Sequence, residues 1–305
     1  MSLHTIVLVK QVPDTSNISG DVMRPDGTVN RARLPAIFNP EDQEALELAL
    51  RLKDKHGGKV TALTMGPPNA ANMLRECLYM GADRAILVSD RRFAAADTLA
   101  TSYALHKAVH RIGDYDLIFG GRQAIDGDTA QVGPQTAEKL GIPQITYTLE
   151  VQNLDLKKKT VRAKRAIKNG YEILEAPLPV LLTVTKDAAE PRPFDVRRLC
   201  TYKRAQSRFE IEATVDDSHD LVWMDELMEK IKADDLLIET WNIEDIDADV
   251  QWCGLAGSPT KVHKVENVIL SGAEFKKVPA TSDGLNDMIT DLMQDHKIGR
   301  ASCRE

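Results

Sequence analysis

The sequence predicts an α/β fold built on a parallel sheet, and two patterns carry that prediction. Up to residue 140, short runs of β-branched and aliphatic residues alternate with longer segments whose apolar residues recur at helical spacing. Strands that alternate with helices of this length imply right-handed crossovers and a parallel sheet covered on both faces. No apolar run approaches the ~20 residues that a membrane-spanning helix needs, which argues against a membrane protein.

The predicted elements follow in a regular order. Strands are expected at 5–9, 60–65, 85–88 and 117–120, and helices at 41–55, 70–80, 96–111 and up to about residue 140. Asn39 is a good N-cap for the first helix, Pro40 suits its first position, and Asp42 lies where the helix dipole favours a carboxylate. Asp97 and Thr98 precede the apolar face of the third helix.

After Pro143 the pattern predicts an antiparallel extension. Residues 144–151, 160–167 and 171–174 form a meander whose second turn contains Asn169 and Gly170, a strong hairpin signal. The lysines at 157–159 are expected at an exposed hairpin tip, and 180–185 closes the sheet. Helix-like stretches follow at 224–238 and 244–249, and a last helix carries its apolar residues at Leu285, Ile289, Leu292 and Met293.

These patterns divide the chain into three parts. Residues 1–186 form the predicted α/β domain, and 187–296 an extended C-terminal arm that finds its apolar contacts on another chain. The alternative is a small C-terminal domain whose pattern the sequence does not resolve. Residues 297–305 read KIGRASCRE, which common sequencing-adaptor DNA encodes, so we predict that this tail is not part of the biological protein.

Composition and missing motifs narrow the function. A net charge of −7 without a concentrated basic face argues against nucleic acid as the main partner. Cys77, Cys200, Cys253 and Cys303 form no CxxC or His/Cys cluster, so no metal site is predicted, and Cys77 fits an apolar helix face. The absence of a nucleophile elbow, a Walker lysine, HExxH and GxGxxG disfavours a dinucleotide-binding dehydrogenase of the usual type, and no catalytic residue is assigned. The N-terminus lacks a signal-peptide pattern, and we expect a cytoplasmic protein.

One loop stands out after the fourth predicted strand, reading GGRQAIDGDTAQVGP over 120–134. In an open parallel sheet, ligands bind beyond the carboxyl ends of the strands, where the strand order reverses. The glycines permit close backbone approach, Asp128 is able to cap a helix with Gln131 three residues on, and Arg122 offers a charged fork to a phosphate. A Gly-rich structural turn is the alternative.

The start of the next helix stays open between two positions. It begins either at Asp128, with a distortion at Pro134, or at Gly133, with Pro134 in the first position. Both versions leave N–H groups free for an anion. The other strands also end in polar or Gly/Pro residues, so Lys10 and Gly66 join the predicted binding residues of one nucleotide-sized crevice.

The motifs VKQVPDT, NPEDQEALELAL, TMGPP, SDRRFAAADTLATS and GRQAIDGDTAQVGP, in that order and spacing, resemble the β subunit of electron transfer flavoproteins. The resemblance runs from about residue 4 to the final helix. It implies an adenine nucleotide α-hydrolase-like Rossmann fold and a heterodimer with an FAD-binding α subunit. It also implies nucleotide contacts from Leu8, Asn39, Pro40, Glu41, Asp42, Met65, Arg122, Gln123, Ala124, Ile125, Asp126, Gly127, Asp128, Thr129, Ala130, Gln131, Val132 and Gly133.

The family has two branches, and the resemblance favours one of them. Ordinary members hold AMP as a structural ligand, whereas in electron-bifurcating members a second FAD replaces AMP and accepts hydride from NADH. QVPD after Lys10, GDT at 127–129 and ADTLATS at 96–102 resemble the bifurcating branch. FAD is therefore the predicted cofactor, with its ring near Asp97 and Thr98; AMP is the alternative, and NADH is a possible electron donor.

The resemblance also implies partners. FDVRRLCTYKR at 194–204 resembles a docking segment, with Val196 as the apolar anchor and Leu199 nearby; an exposed loop is the alternative. The partners are the α subunit, an acyl-CoA dehydrogenase or similar enzyme, and ferredoxin or a quinone reductase. The rival functions are a subunit with structural AMP that carries electrons from acyl-CoA dehydrogenases, and an ATP-hydrolysing or stress-type nucleotide-binding protein. The acidic stretch 210–251 is longer than the family pattern.

Overall fold

A computed structural model describes residues 2–14, 35–214, 221–260 and 277–294. The adaptor-like tail, Cys303 and the last residue of the VKQVPDT motif lie outside the described residues. The chain divides into two compact units, Met1–His263 and Lys264–Glu305. The domain boundary expected at residue 186 stays a prediction.

The described part of the first unit contains twelve strands and seven α-helices. They are β1 (His4–Leu8), β2 (Gln11–Pro13), β3 (Ala36–Phe38), α1 (Pro40–His56), β4 (Lys59–Met65), α2 (Ala71–Met80), β5 (Arg84–Val88), α3 (Thr98–Ile112), β6 (Leu117–Gly121), α4 (Val132–Leu140), β7 (Gln144–Asp155), β8 (Thr160–Ile167), β9 (Gly170–Pro177), β10 (Val180–Val184), α5 (Val196–Tyr202), β11 (Gln206–Ser207), α6 (Arg208–Glu212), α7 (Leu221–Ala233) and β12 (Leu237–Trp241).

Ten of the strands form one sheet in the order β11-β12-β5-β4-β1-β6-β10-β7-β8-β9. Neighbours pair in parallel from β11 through β7, and β7, β8 and β9 pair antiparallel. From β1 the chain moves outward to β4 and β5 and then returns to the other side of β1 as β6. The strand order therefore reverses between β1 and β6, and the predicted α/β class is confirmed.

Two hydrophobic clusters cover the faces of the sheet. Because side chains of a strand alternate between faces, Val7 of β1 packs in the cluster that holds α1 and α2, whereas Ile6 packs in the cluster that holds α3 and α4. Cys77 of α2 is fully buried in the first cluster, as its apolar pattern predicted. The antiparallel meander is also confirmed, and Asn169 adopts the left-handed conformation (φ 67°) that its turn signal implies.

The segment after residue 186 differs from the sequence prediction. The helix expected over 224–238 ends at Ala233, and Leu237–Trp241 instead forms β12, which pairs in parallel with β5. The helix expected over 244–249 is absent, since 243–247 form a turn. The buried residues of β12, Ile238 and Trp241, are three positions apart, so the strand shows helical rather than alternating spacing. Contact of 187–296 with another chain stays a prediction.

In the second unit, the described residues contain α8 (Ser282–Gln294), where the apolar spacing predicted the last helix. Across the described ranges of the chain, no helix combines the length and the apolar character needed to cross a membrane.

The first turn of α1 packs tightly against the end of β6. A Cβ atom at Gly121 would lie 2.9 Å from Asp42 N and from the carbonyl carbon of Glu41, and it would overlap Asp42 Oδ1. These neighbours are backbone atoms or a buried carboxylate, so displacing them would cost free energy. Glycine at this position therefore allows α1 to begin directly beside the strand.

We expect Gly121→Ala to lower the free energy of unfolding by about 1 to 3 kcal/mol, because the added methyl group overpacks this contact. Gly127→Ala is the matched control, since a Cβ there meets nothing within 4 Å. Urea unfolding of the two variants measures the difference. Equal stabilities would contradict the close approach of α1 to β6.

We expect Ile238→Ala to lower the free energy of unfolding by about 2 to 5 kcal/mol, because it leaves a cavity beneath β12. Leu255→Ala, at a side chain that is 55% exposed, should change it by no more than about 0.5 kcal/mol. Denaturant unfolding of both variants tests whether β12 belongs to the cooperative core. A loss at residue 238 as small as that at residue 255 would place β12 outside it.

Candidate functional site

The carboxylate of Asp42 connects the two strands between which the strand order reverses. Its Oδ2 accepts a hydrogen bond from Lys10 N, just after β1, at 2.8 Å. Its Oδ1 accepts one from Gly121 N, at the end of β6, at 2.7 Å. Because ligands of open α/β sheets bind at such a reversal, this carboxylate lies at the floor of the expected crevice.

Two more side chains from the start of α1 hold the loop after β6. Asn39 Nδ2 donates to Gln123 O at 2.9 Å, and Asn39 Oδ1 accepts from Ile125 N at 3.2 Å. The carboxylate of Glu41 accepts from Gln123 N and from the Arg122 guanidinium, each at 2.9 Å. Asn39 occupies the N-cap position, but its side chain makes no cap hydrogen bond, so the capping prediction is wrong in this respect. The amide satisfies the loop backbone instead.

The loop extends from α1 across to the start of α3. Lys10 Nζ pairs with Asp126 at 2.7 Å, and the Thr98 hydroxyl donates to Gln131 Oε1 at 3.0 Å. Asp128 and Ala130 have positive φ values of 50° and 53°, which few residues other than glycine adopt. A loop in this conformation needs its side-chain anchors, because each left-handed residue carries a conformational cost.

The helix after the loop begins at neither predicted position. α4 starts at Val132 with Gln131 as its N-cap, and Asp128 does not cap it, since its carboxylate accepts from Gln123 Nε2 at 2.9 Å. Pro134 fits in the first turn, where an N–H has no intrahelical acceptor. A Cβ at Gly133 would come within 2.7 Å of the Thr183 methyl group, so glycine lets α4 pack close to β10. The first N–H groups of α4 remain available to an anion.

Burial controls the charge at Asp42. The side chain is 7% exposed, and burial raises the pKa of its carboxyl to about 7, although hydrogen bonds from Gly121 N, Asn39 and Lys10 N and the charge of Lys10 oppose this. A carboxyl group poised near neutrality in a ligand crevice is typical of functional sites.

Asp97 at the start of α3 behaves differently. Burial favours a higher pKa there, but hydrogen bonds from Ala100 N, Thr260 and Leu99 N outweigh it and lower the pKa below its ordinary value. The carboxylate caps α3 and also holds Thr260 of the C-terminal segment. Asp97 is thus an anchored, ionised cap.

A cleft of about 800 Å³ adjoins the crevice at the carboxyl ends of β4, β5 and β12. Met65 and Gly66, two predicted binding residues, line it together with Phe93. Phe209 and Asn242 line its other side and come from the segment predicted to be an arm. The cleft has the size of a small-molecule site and carries both aromatic and polar groups.

The structure brings nearly all predicted binding residues to one edge of the sheet. Leu8 ends β1 and Lys10 follows it, while Met65 ends β4 and Gly66 follows it. Residues 39–42, 97–98 and 122–133 are at helix starts or in the loop between β6 and α4. Whether they contact a nucleotide stays a prediction. Arg122, expected to face a phosphate, bonds to Glu41 and lies 5.7 Å from the centre of the Tyr147 ring.

The two predicted docking residues lie apart from this edge, on α5. Val196 is 74% exposed at the first turn, and Leu199 is half-buried. α5 packs against α2 on the outside of the sheet, and Arg198 bonds to the carbonyl of Leu78 at the end of α2.

Sequence reasoning missed several groups at the crevice. Thr260 and Ser258 bond to Asp97, and Phe209 and Asn242 line the adjoining cleft. They lie far along the chain from these motifs, so no local spacing indicated them. Gly121 was predicted to approach a ligand, whereas in the structure it makes room for α1. In the described residues, no group of three or more His, Cys, Asp or Glu side chains is placed to hold a metal ion.

Comparison with known proteins identifies the family to which this chain belongs. Residues 26–213 match the family model for the electron transfer flavoprotein domain. The chain is 38% identical over 296 residues to electron transfer flavoprotein subunit beta of Clostridium acetobutylicum, covering 97% of this chain and 100% of the relative. It is 42% identical over 309 residues to acryloyl-CoA reductase electron transfer subunit gamma of Anaerotignum propionicum, with the same coverage of both chains.

A third relative is a subunit of a larger complex. The chain is 41% identical over 298 residues to caffeyl-CoA reductase-Etf complex subunit CarD of Acetobacterium woodii, again covering 97% of this chain and 100% of the relative. The motif resemblance noted in the sequence is thereby confirmed. The crevice at the strand reversal, the family match over more than half of the chain and these full-length identities lead to one conclusion: the chain belongs to the family of electron transfer flavoprotein β subunits.

Proposed function

We propose that this β subunit binds FAD in the crevice between β1 and β6 and, in a heterodimer with an α subunit, takes electrons from NADH. Electrons pass through the α-subunit flavin and are exchanged, in either direction, with an acyl-CoA dehydrogenase or a similar enzyme. Ferredoxin or a quinone is the further electron acceptor. The observation that carries the proposal is the loop after β6, which side chains of α1 hold at the strand reversal.

The residues of the crevice fit the adenosine diphosphate part of FAD. The N–H groups of Val132 and Gly133 open α4 and suit a phosphate, because the first N–H groups of a helix have no intrahelical acceptor. The backbone at Gly127 is open, since nothing lies within 4 Å of a Cβ placed there. Leu8 and Met65 supply apolar surface at the ends of β1 and β4. The chain thus offers both donors and apolar contacts.

A bound flavin supplies hydride acceptance and electron transfer, and the chain supplies binding and electrostatics. Asp97 and Thr98 start α3 beside the loop, where the helix dipole favours negative charge. The carboxylate of Asp97 is already bonded to Leu99 N, Ala100 N and Thr260. The Asp97 carboxylate therefore serves to hold α3 in place. We assign no acid or base role to any side chain.

The names of two relatives support an acyl-CoA-type partner. One is an electron transfer subunit of acryloyl-CoA reductase, and the other belongs to a caffeyl-CoA reductase complex. We extend this partner class to the present chain, and we expect the complex to work in the cytoplasm. The alternative is a subunit in which AMP fills the crevice and only the α subunit carries flavin.

Cofactor content decides between the two. We expect the heterodimer, purified after coexpression with its α subunit, to release two FAD per complex and to be bleached by NADH under anaerobic conditions. Chromatography of the denatured complex counts FAD and AMP. One FAD together with one AMP, without bleaching by NADH, would reject the proposal in favour of the alternative.

A variant assigns the second nucleotide to this crevice. Gly127→Leu should reduce the FAD content from two to one per heterodimer, because its side chain enters the open space beside the loop. Gly170→Leu is the control, since its position on β9 is equally open but distant in the sheet. Unchanged FAD content in Gly127→Leu would place the second flavin elsewhere.

Docking at α5 has its own test. We expect Val196→Ala to raise the apparent KM for the dehydrogenase partner about fivefold, corresponding to a loss of about 1 kcal/mol, because the side chain is an exposed apolar anchor. Thr201→Ala, exposed on the same helix, should leave the KM unchanged. Stopped-flow flavin reduction at varied partner concentration measures both. Equal KM values would remove Val196 from the docking surface.

A further inference from the structure

Asp42 joins three segments that meet only through tertiary structure. Its two oxygens accept the N–H of Lys10 after β1 and the N–H of Gly121 at the end of β6, while the residue itself belongs to the first turn of α1. Gly121 begins the loop whose next residues bond to Glu41 and Asn39. This carboxylate therefore helps to fix the position of the loop relative to β1, together with the ion pair between Lys10 and Asp126.

The ionised carboxylate is the better acceptor for both donors. An ionised Asp accepts hydrogen bonds at both oxygens, whereas a protonated Asp carries an O–H donor on one of them. The protonated oxygen is a weaker acceptor, so the hydrogen bond from either Lys10 N or Gly121 N is weakened. A poorly paired buried donor is costly, so the protonated form loosens one of the two connections.

We propose that Asp42 is a positioning residue whose ionised carboxylate keeps the loop after β6 in the conformation that binds a nucleotide phosphate, so that protonation of Asp42 weakens nucleotide binding. The residue touches no reacting group in this role. It acts through Gly121 and the loop, and the inference rests on the proposed function only in naming a nucleotide as the ligand.

Two charged groups beside Asp42 are held in ion pairs. The Lys10 ammonium is paired with Asp126, and Glu41 of the same helix is paired with Arg122 of the loop. Cys77 of α2 interacts with the carboxylate, but burial raises the pKa of its thiol well above the ordinary value and keeps it neutral. Burial raises the pKa of Asp42 to about 7, which places its protonation within the physiological range.

Stability and binding then respond to pH in opposite directions. Because the pKa of Asp42 is raised from 3.8 to about 7 by folding, the folded chain retains a proton that the unfolded chain has lost between these values. The contribution of Asp42 to stability is therefore full below about pH 4 and is lost as the pH rises through about 7. Nucleotide affinity should instead rise over the upper part of this range. A purely structural role would move both quantities together.

The test uses the full chain and ADP-ribose, which contains adenosine diphosphate but no phosphate monoester that titrates between pH 6 and 8. We expect the affinity of the wild-type chain, measured by calorimetry, to be up to about tenfold higher at pH 8 than at pH 6, as for one group that titrates at about 7. Asp42→Asn, which has one acceptor oxygen, should bind with the low-pH affinity at both pH values. Asp155→Asn, at the end of β7 and away from the crevice, is the control and should keep the pH dependence.

Hydrogen exchange separates this inference from the proposed function. We expect the protection of the Gly121 and Lys10 amides in the wild-type chain, corrected for intrinsic rates, to fall from pH 8 to pH 6 and to be low at both values in Asp42→Asn. Protection that is independent of pH in the wild-type chain would overturn the inference, even if Asp42→Asn does not fold. Failure of ADP-ribose to bind at any pH would instead reject the proposed ligand.

Discussion

The contact between the first turn of α1 and the end of β6 is the constraint on which the rest of the site depends. Gly121 allows the helix to begin beside the strand, and Asp42 then reaches the backbone on both sides of the strand reversal. Without that approach, Asn39 and Glu41 would lie too far from the loop to bond to its backbone. The burial of a carboxylate is costly, and the site retains it because two N–H groups need an acceptor there.

The same edge of the sheet is also held from the C-terminal side. Arg92, after β5, pairs with Glu244, and Thr260 bonds to Asp97 at the start of α3. A Cβ at Gly254 would overlap the Arg92 carbonyl oxygen, so this segment packs directly on the loop between β5 and α3. Two independent sets of contacts thus order the two loops that flank the crevice, one from α1 and one from residues 242–260.

The regular part of the fold was predictable because its signals are local. Apolar periodicity and caps located β1, β4, β5, β6 and the helices between them within two residues, and Asn169 and Gly170 located the hairpin of β8 and β9. β12 was not predictable in this way, since its buried residues Ile238 and Trp241 have the spacing of a helix. Its strand conformation comes from pairing with β5, about 150 residues earlier in the chain.

The sequence alone determined the class of fold, the edge of the sheet at which the candidate binding residues lie and the family of the protein, because these follow from periodicity, strand order and motifs that can be read in one segment at a time. Tertiary structure decided what the individual side chains do. Asn39 bonds to a loop rather than to its own helix, Asp128 leaves the cap of α4 to Gln131, and Arg122 pairs with Glu41. Each of these hydrogen bonds depends on a partner that is remote in sequence or on a backbone conformation that only the folded loop imposes. The strength of a hydrogen bond also depends on which partner is within reach and on how deeply both groups are buried.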